Sequence, residues 1–93
     1  MEEHVKVVAE LLKVLANENR LLILCYLIEG PLTVSELSLK ITTITQSALS
    51  QHLAILKAHK IVDSIKKGQT ITYSINDERI LSVMEVLKAK YCV

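Results

Sequence analysis

Apolar positions in the first sixteen residues recur at helical spacing, but they fall in two stripes rather than one. Val5, Val8, Ala9, Leu12 and Leu15 share one side, and Val7, Leu11 and Val14 share another. A surface helix of a monomer needs a single apolar stripe, so a helix over residues 2–16 leaves one stripe for a partner. The next stretch, NENRLLILCYLIEGP, is almost continuously apolar. It opens after Asn17 or Asn19 as N-cap and stops at Gly30 and Pro31, which predicts a buried central helix. TVSE at 33–36 has the form of a capping box, with Thr33 as the cap and Glu36 reaching back, so a short helix follows over about 34–41. TTIT then breaks the chain, and Thr45 can cap a further helix over 46–59.

On that fourth helix, Ala48, Leu49, His52, Leu53, Ile55 and Leu56 share one broad face, and Gln46, Ser47, Ser50, Gln51 and Lys57 lie on the other. Glu and Lys are better helix formers and usually fill a merely solvated face, so the short uncharged side chains cost helix stability locally. They suit reading base edges. Gln pairs bidentately with adenine, Ser bonds several bases, and the small Ala54 lets the helix sit deep in a major groove about 12 Å wide. Thr45, Ser47 and the unpaired N–H groups of the first turn suit a phosphate. A solvated helix face is the alternative reading of the same residues.

IVDSIKKGQTITYSI follows as a hairpin, with strands near 61–66 and 70–75 and a turn at Lys67 and Gly68. Lys66 and Lys67 at its tip suit DNA backbone contacts, which give affinity without base information; taken alone they could equally protect an edge strand. Asn76 or Asp77 opens a last helix, in which Ile80, Val83, Met84, Leu87 and Tyr91 recur at helical spacing. The element order is then α-α-α-α-β-β-α, a mostly helical winged helix-turn-helix with the hairpin as wing, one domain over residues 1–93.

Composition sharpens this picture in two places. Of the 93 residues 51% are apolar, with no Phe and no Trp, more than one small aliphatic core accommodates, which points to a homodimer through the first and last helices. The net charge of +1 excludes nothing, but residues 40–75 hold Lys40, Lys57, Lys60, Lys66 and Lys67 against Asp63 alone. That stretch is where a polyanion would bind. No apolar run spans a membrane and the acidic start lacks the features of a secretory signal, so a cytoplasmic protein is expected. With no Gly-rich phosphate loop and no nucleophile beside a His and an acid, an enzyme is not expected, nor is a cofactor.

The strings LANENRLLILCYL, SELS, TQSALSQHLAILKAHKIV and the wing ending TYSI resemble the ArsR–SmtB family of small dimeric bacterial repressors over essentially the whole chain. The resemblance implies repression of a promoter by binding an inverted-repeat operator, relieved by an inducer. The metal-sensing members carry paired Cys at the third helix or Asp and His on the last; here those places read SELSLKI and DERILSVMEVLKAKYC, with Asp77 but no following His. His4, His52 and His59 are scattered, and His52, on the apolar face, reads as a hydrogen-bonded structural residue, so no metal site is expected. By composition, Cys25 is a small core residue and Cys92 incidental. The resemblance, however, extends to the sulfide- and persulfide-responsive subgroup, the BigR and SqrR type, with one Cys in LLILC and another in a terminal YC. It implies that reactive sulfur species join Cys25 to Cys92 by a disulfide or polysulfide bridge and release the DNA. The alternatives are a metal-responsive repressor of the same family and a winged-helix protein-interaction module that does not bind DNA.

Overall fold

The computed structural model describes residues 1–91. Its elements run α1 (Glu2–Leu15), α2 (Glu18–Leu27), β1 (Leu32–Thr33), α3 (Val34–Lys40), α4 (Gln46–Ala58), β2 (Val62–Lys67), β3 (Thr70–Ile75) and α5 (Glu78–Tyr91). The helix starts follow the capping chemistry. The Asn17 side chain accepts the N–H groups of Asn19 and Arg20 at 3.0 and 3.1 Å, which fixes the entry to α2. Thr33 and Glu36 form the reciprocal capping box, at 3.0 and 2.9 Å. The bond from the Thr33 N–H also holds the Glu36 carboxyl below its ordinary range.

Two features depart from the sequence reading. The hairpin is part of a three-stranded antiparallel sheet, order β1-β3-β2, because Leu32 and Thr33 pair with Tyr73 and Thr72. Two residues cannot display a period-two pattern, so this strand left no signal in the sequence. The wing turn falls on Gly68 and Gln69 rather than Lys67 and Gly68, since Lys67 still pairs with Thr70. Gly68 has φ +62° and Gln69 lies outside the positive-φ region, the arrangement of a two-residue type II′ turn with Gly first.

The core is aliphatic apart from Met84. It centres on Ile23, Leu24 and Leu27 of α2, against Leu37 of α3, Leu49, Leu53 and Leu56 of α4, Val62 of β2, and Ile80 and Met84 of α5. The helix α1 buries only Val14 and Leu15 at its last turn, with Leu11 half-buried against the core. The Val5, Val8, Ala9 and Leu12 side of the helix is therefore uncovered, and of the other stripe Val7 is, with Val5, Val7, Val8 and Leu12 exposed by 60, 67, 50 and 54%. On α5, Val83, Val86 and Leu87 are exposed as well. No helix among the described residues is long and apolar enough to cross a membrane.

Candidate nucleic-acid interface

The helix α4 is positioned by what lies at its two ends. At its start Thr45 Oγ1 accepts the Ala48 N–H at 3.1 Å, which leaves the hydroxyl proton free to donate outward. At its end Lys60 adopts φ +60°. The Lys60 N–H bonds the Lys57 carbonyl at 2.9 Å and the Ile61 N–H bonds the Leu56 carbonyl at 3.0 Å, a Schellman arrangement that turns the chain directly into β2. Between these ends the buried Leu49, Leu53 and Leu56 fix the rotation of the helix about its axis. Gln46, Ser47, Ser50, Gln51 and Ala54 are left exposed on the far side.

His52 contributes to the same positioning. Arg20 Nε donates to the Val14 carbonyl at 2.6 Å and Arg20 NH1 lies 3.3 Å from His52 Nδ1. A guanidinium has no acceptor, so in this contact His52 Nδ1 is the accepting atom. One side chain thereby links the end of α1, the start of α2 and α4. This is the hydrogen-bonded structural histidine expected from its place on the apolar face.

The wing folds back beside the start of α4. In the hairpin register Val62, Ser64 and Lys66 oppose Ile75, Tyr73 and Ile71, while Lys67 opposes Thr70. Directly opposed residues share a face, so Lys66 lies on the Ser64 face and Lys67 on the other. Ser64 Oγ accepts from Lys57 Nζ at 2.7 Å, which shows that this face is turned toward α4. Lys57 is thus engaged with the base of the wing, on the order of 16 Å along the helix from Gln46 at 1.5 Å per residue, and is not gathered with the residues of the first turns.

Gln46 and Ser50 meet the wing turn across an open groove of about 250 Å³, lined also by Thr33, Val34, Ser35, Gln69, Thr70 and Ile71. Ser35, Gln69 and Thr70 were not singled out from the sequence. Gln69 could have been, as the residue after the turn glycine at the tip of the wing. Ser35 was hidden inside the capping box.

Cys25 is half-buried on α2. It lies between two open depressions, one of about 640 Å³ lined by Glu18, Asn19, Leu21, Leu22, Thr43 and Ile44, the other of about 330 Å³ lined by Leu22, Tyr26, Glu29, Lys40 and Lys88. Lys88 of α5 reaches Glu29 at the end of α2, 3.3 Å away. Cys92, the second cysteine of the expected pair, lies outside the described residues. Asp77 is engaged locally: it accepts from the Arg79 N–H at 2.9 Å and from the Arg79 guanidinium at 2.9 and 3.1 Å. The guanidinium bonds hold its carboxyl below the usual range. Among the described residues no three His, Cys, Asp or Glu side chains come together as a metal site would require.

The family model described as bacterial regulatory protein, arsR family, matches residues 17–64, just over half of the chain and all of α2 through α4. The transcriptional activator HlyU of Vibrio cholerae is 41% identical over 92 residues, 99% of this chain and 84% of its own length. The structure of HlyU from Vibrio cholerae N16961 superposes with a TM-score of 0.93 over 100% of both chains. The regulator YgaV of Escherichia coli is 40% identical over 84 residues, 90% of this chain and 85% of its own. The crystal structure of the transcriptional repressor BigR from Xylella fastidiosa matches with a TM-score of 0.90 at 33% identity, covering 100% of this chain and 94% of that one. The likeness includes BigR without singling it out, because HlyU and YgaV share more residues with this chain. The narrow subgroup placement expected from the two cysteines therefore widens to the family.

Proposed function

Because the chain belongs to the arsR family of bacterial regulatory proteins, a family of transcriptional regulators and not of enzymes, we propose that it acts as a dimeric repressor. In this reading it holds an inverted-repeat operator and lets go when Cys25 and Cys92 are joined by a disulfide or polysulfide bridge. The observation that carries the DNA-binding part is the uncovered face of α4. Gln46, Ser47, Ser50 and Gln51 stand exposed and free of acidic neighbours in the first turns, beside a wing that carries Lys66 and Lys67. The exposed valines and leucines of α1 and α5 support the dimer, since a two-fold pair of recognition helices spaced by roughly 34 Å reads two half-sites one turn apart.

The switch is supported by the surroundings of Cys25. Its depression is shared by Lys88, so the last turns of α5 adjoin the α2 cysteine. One of the related structures is of HlyU in its reduced form, a redox distinction made for that relative. Joining two thiols removes two electrons and two protons, which the reactive sulfur species accepts, and in a polysulfide it also donates the bridging sulfur. Release of DNA by a factor of a hundred requires about 2.7 kcal/mol of coupling between bridge and operator.

The test is a duplex selected by the protein from a random-sequence pool, challenged with persulfide. Wild type is expected to let go, while Cys25→Ser and Cys92→Ser stay bound. If either variant still releases the duplex normally, the two-cysteine switch is wrong. HlyU is a transcriptional activator, which favours a second reading in which operator occupancy raises transcription. In vitro transcription from a template carrying the selected duplex, with and without protein, separates the two by sign.

A further inference from the structure

We infer that the groove between the first turns of α4 and the wing turn seats the DNA strand that separates the major from the minor groove, holding one phosphodiester by uncharged donors, chiefly Ser35 and Thr70. The inference rests on the reading of α4 as the element in the major groove. With α4 there and the wing turn at the adjacent minor groove, the sugar–phosphate strand between those two grooves has to pass between α4 and the wing. The space it would occupy is the open groove of about 250 Å³.

Its polar side chains are hydroxyls and amides. Gln46 and Ser50 stand on the α4 wall, Ser35 on α3, and Gln69 and Thr70 on the wing. The sixth, Thr33, accepts the Glu36 N–H, which fixes its hydroxyl at the start of α3 and leaves its proton as a further donor. The lysines nearby in sequence are placed elsewhere: Lys57 is bonded to Ser64, and neither Lys66 nor Lys67 lines the groove. A phosphate lying here is met by hydrogen bonds alone. Such bonds to an anion are strong, yet they bring no cation to the DNA and so leave counterion release almost unchanged. Contacts of this kind strengthen binding to every sequence without steepening its dependence on salt, a signature that separates Ser35 and Thr70 from the wing lysines.

The experiment uses the full chain, the duplex it selects from a random pool, and an unselected duplex of the same length. Ser35→Ala and Thr70→Val are each expected to weaken binding about fivefold, alike on both duplexes, with the slope of log affinity against log salt unchanged. Thr70→Ser, which keeps the hydroxyl, should bind like wild type. A scan of single methylphosphonates should find one position per half-site that costs wild type about the same factor and costs Ser35→Ala nothing further. The inference is overturned if both variants bind like wild type, if Thr70→Ser fails as badly as Thr70→Val, if either slope falls by about one unit, or if no methylphosphonate position silences the variants. If wild type enriches no duplex at all, the DNA-binding reading itself falls and this inference with it, an outcome distinct from the others.

Discussion

At Gln51 an amide that can pair both of its hydrogen-bonding ends with adenine stands exposed on α4, backed one residue on either side by the exposed Ser50 and the half-buried His52. Replacing it by Ala should relax base preference at one position by roughly 1 to 3 kcal/mol, measured by competition between the selected duplex and its single-base variants. Lys66 and Lys67 act differently. They point to opposite faces of the wing and in the proposed complex would meet phosphates as point charges, so Lys66→Gln or Lys67→Gln should weaken all duplexes alike and lower the salt slope by about one. If Gln51→Ala left specificity whole, a different face of α4 would have to read the bases. Lys57 belongs to neither class by its geometry. Its bond to Ser64 braces the wing against α4, and a Lys57→Met change that weakened DNA binding without altering the salt slope would distinguish bracing from a phosphate contact.

Among the elements, the caps were legible because each is carried by a residue type with one local role. Asn17, Thr33 with Glu36, and Thr45 stand where the helical patterns begin, and each makes the bond its position predicts. The polar face of α4 was legible for the same reason, since three buried leucines at helical spacing leave only one side for Gln and Ser. What stayed hidden has no local signature. β1 is two residues held extended only by its partner β3, and the groove between wing and α4 joins residues 35, 46, 50, 69 and 70, whose proximity depends on how far the hairpin folds back. The end of α4 came within one residue of the expected 59, but the turn that closes it was hidden for another reason. A Schellman turn usually carries Gly at its left-handed residue, and here that residue is Lys60. A side chain there costs on the order of 1 kcal/mol, so Lys60→Gly should stabilise the protein by up to about that amount, read as a higher midpoint in urea with an unchanged m-value. A lower midpoint would mean that the Lys60 side chain makes a contact worth more than the strain.

For the whole molecule, the apolar surface of α1 is the largest unmet demand. Nine residues of that helix pass before one becomes even half-buried, and an isolated helix of this length is marginal in water, so the proposed dimer would serve to keep α1 folded. Val8→Glu or Leu12→Glu should give a monomer by sedimentation at micromolar concentration, with less helix by circular dichroism and half-sites bound independently. A dimer that survived both changes would place the interface elsewhere. The short strand β1 carries a mechanical consequence. Thr33 is at once a rung of the sheet, opposite Thr72, and the cap that starts α3, so the wing and the helix-turn-helix are geared together through one residue with no slack between them. The bridge proposed at Cys25 would then have no flap to lift. In the proposed dimer it would act by swinging each half as a rigid lever, changing the distance between the two α4 helices while each keeps its own shape. Hydrogen exchange should accordingly show the Thr72 and Tyr73 amides protected together with those of α3, and equally so before and after the cysteines are joined.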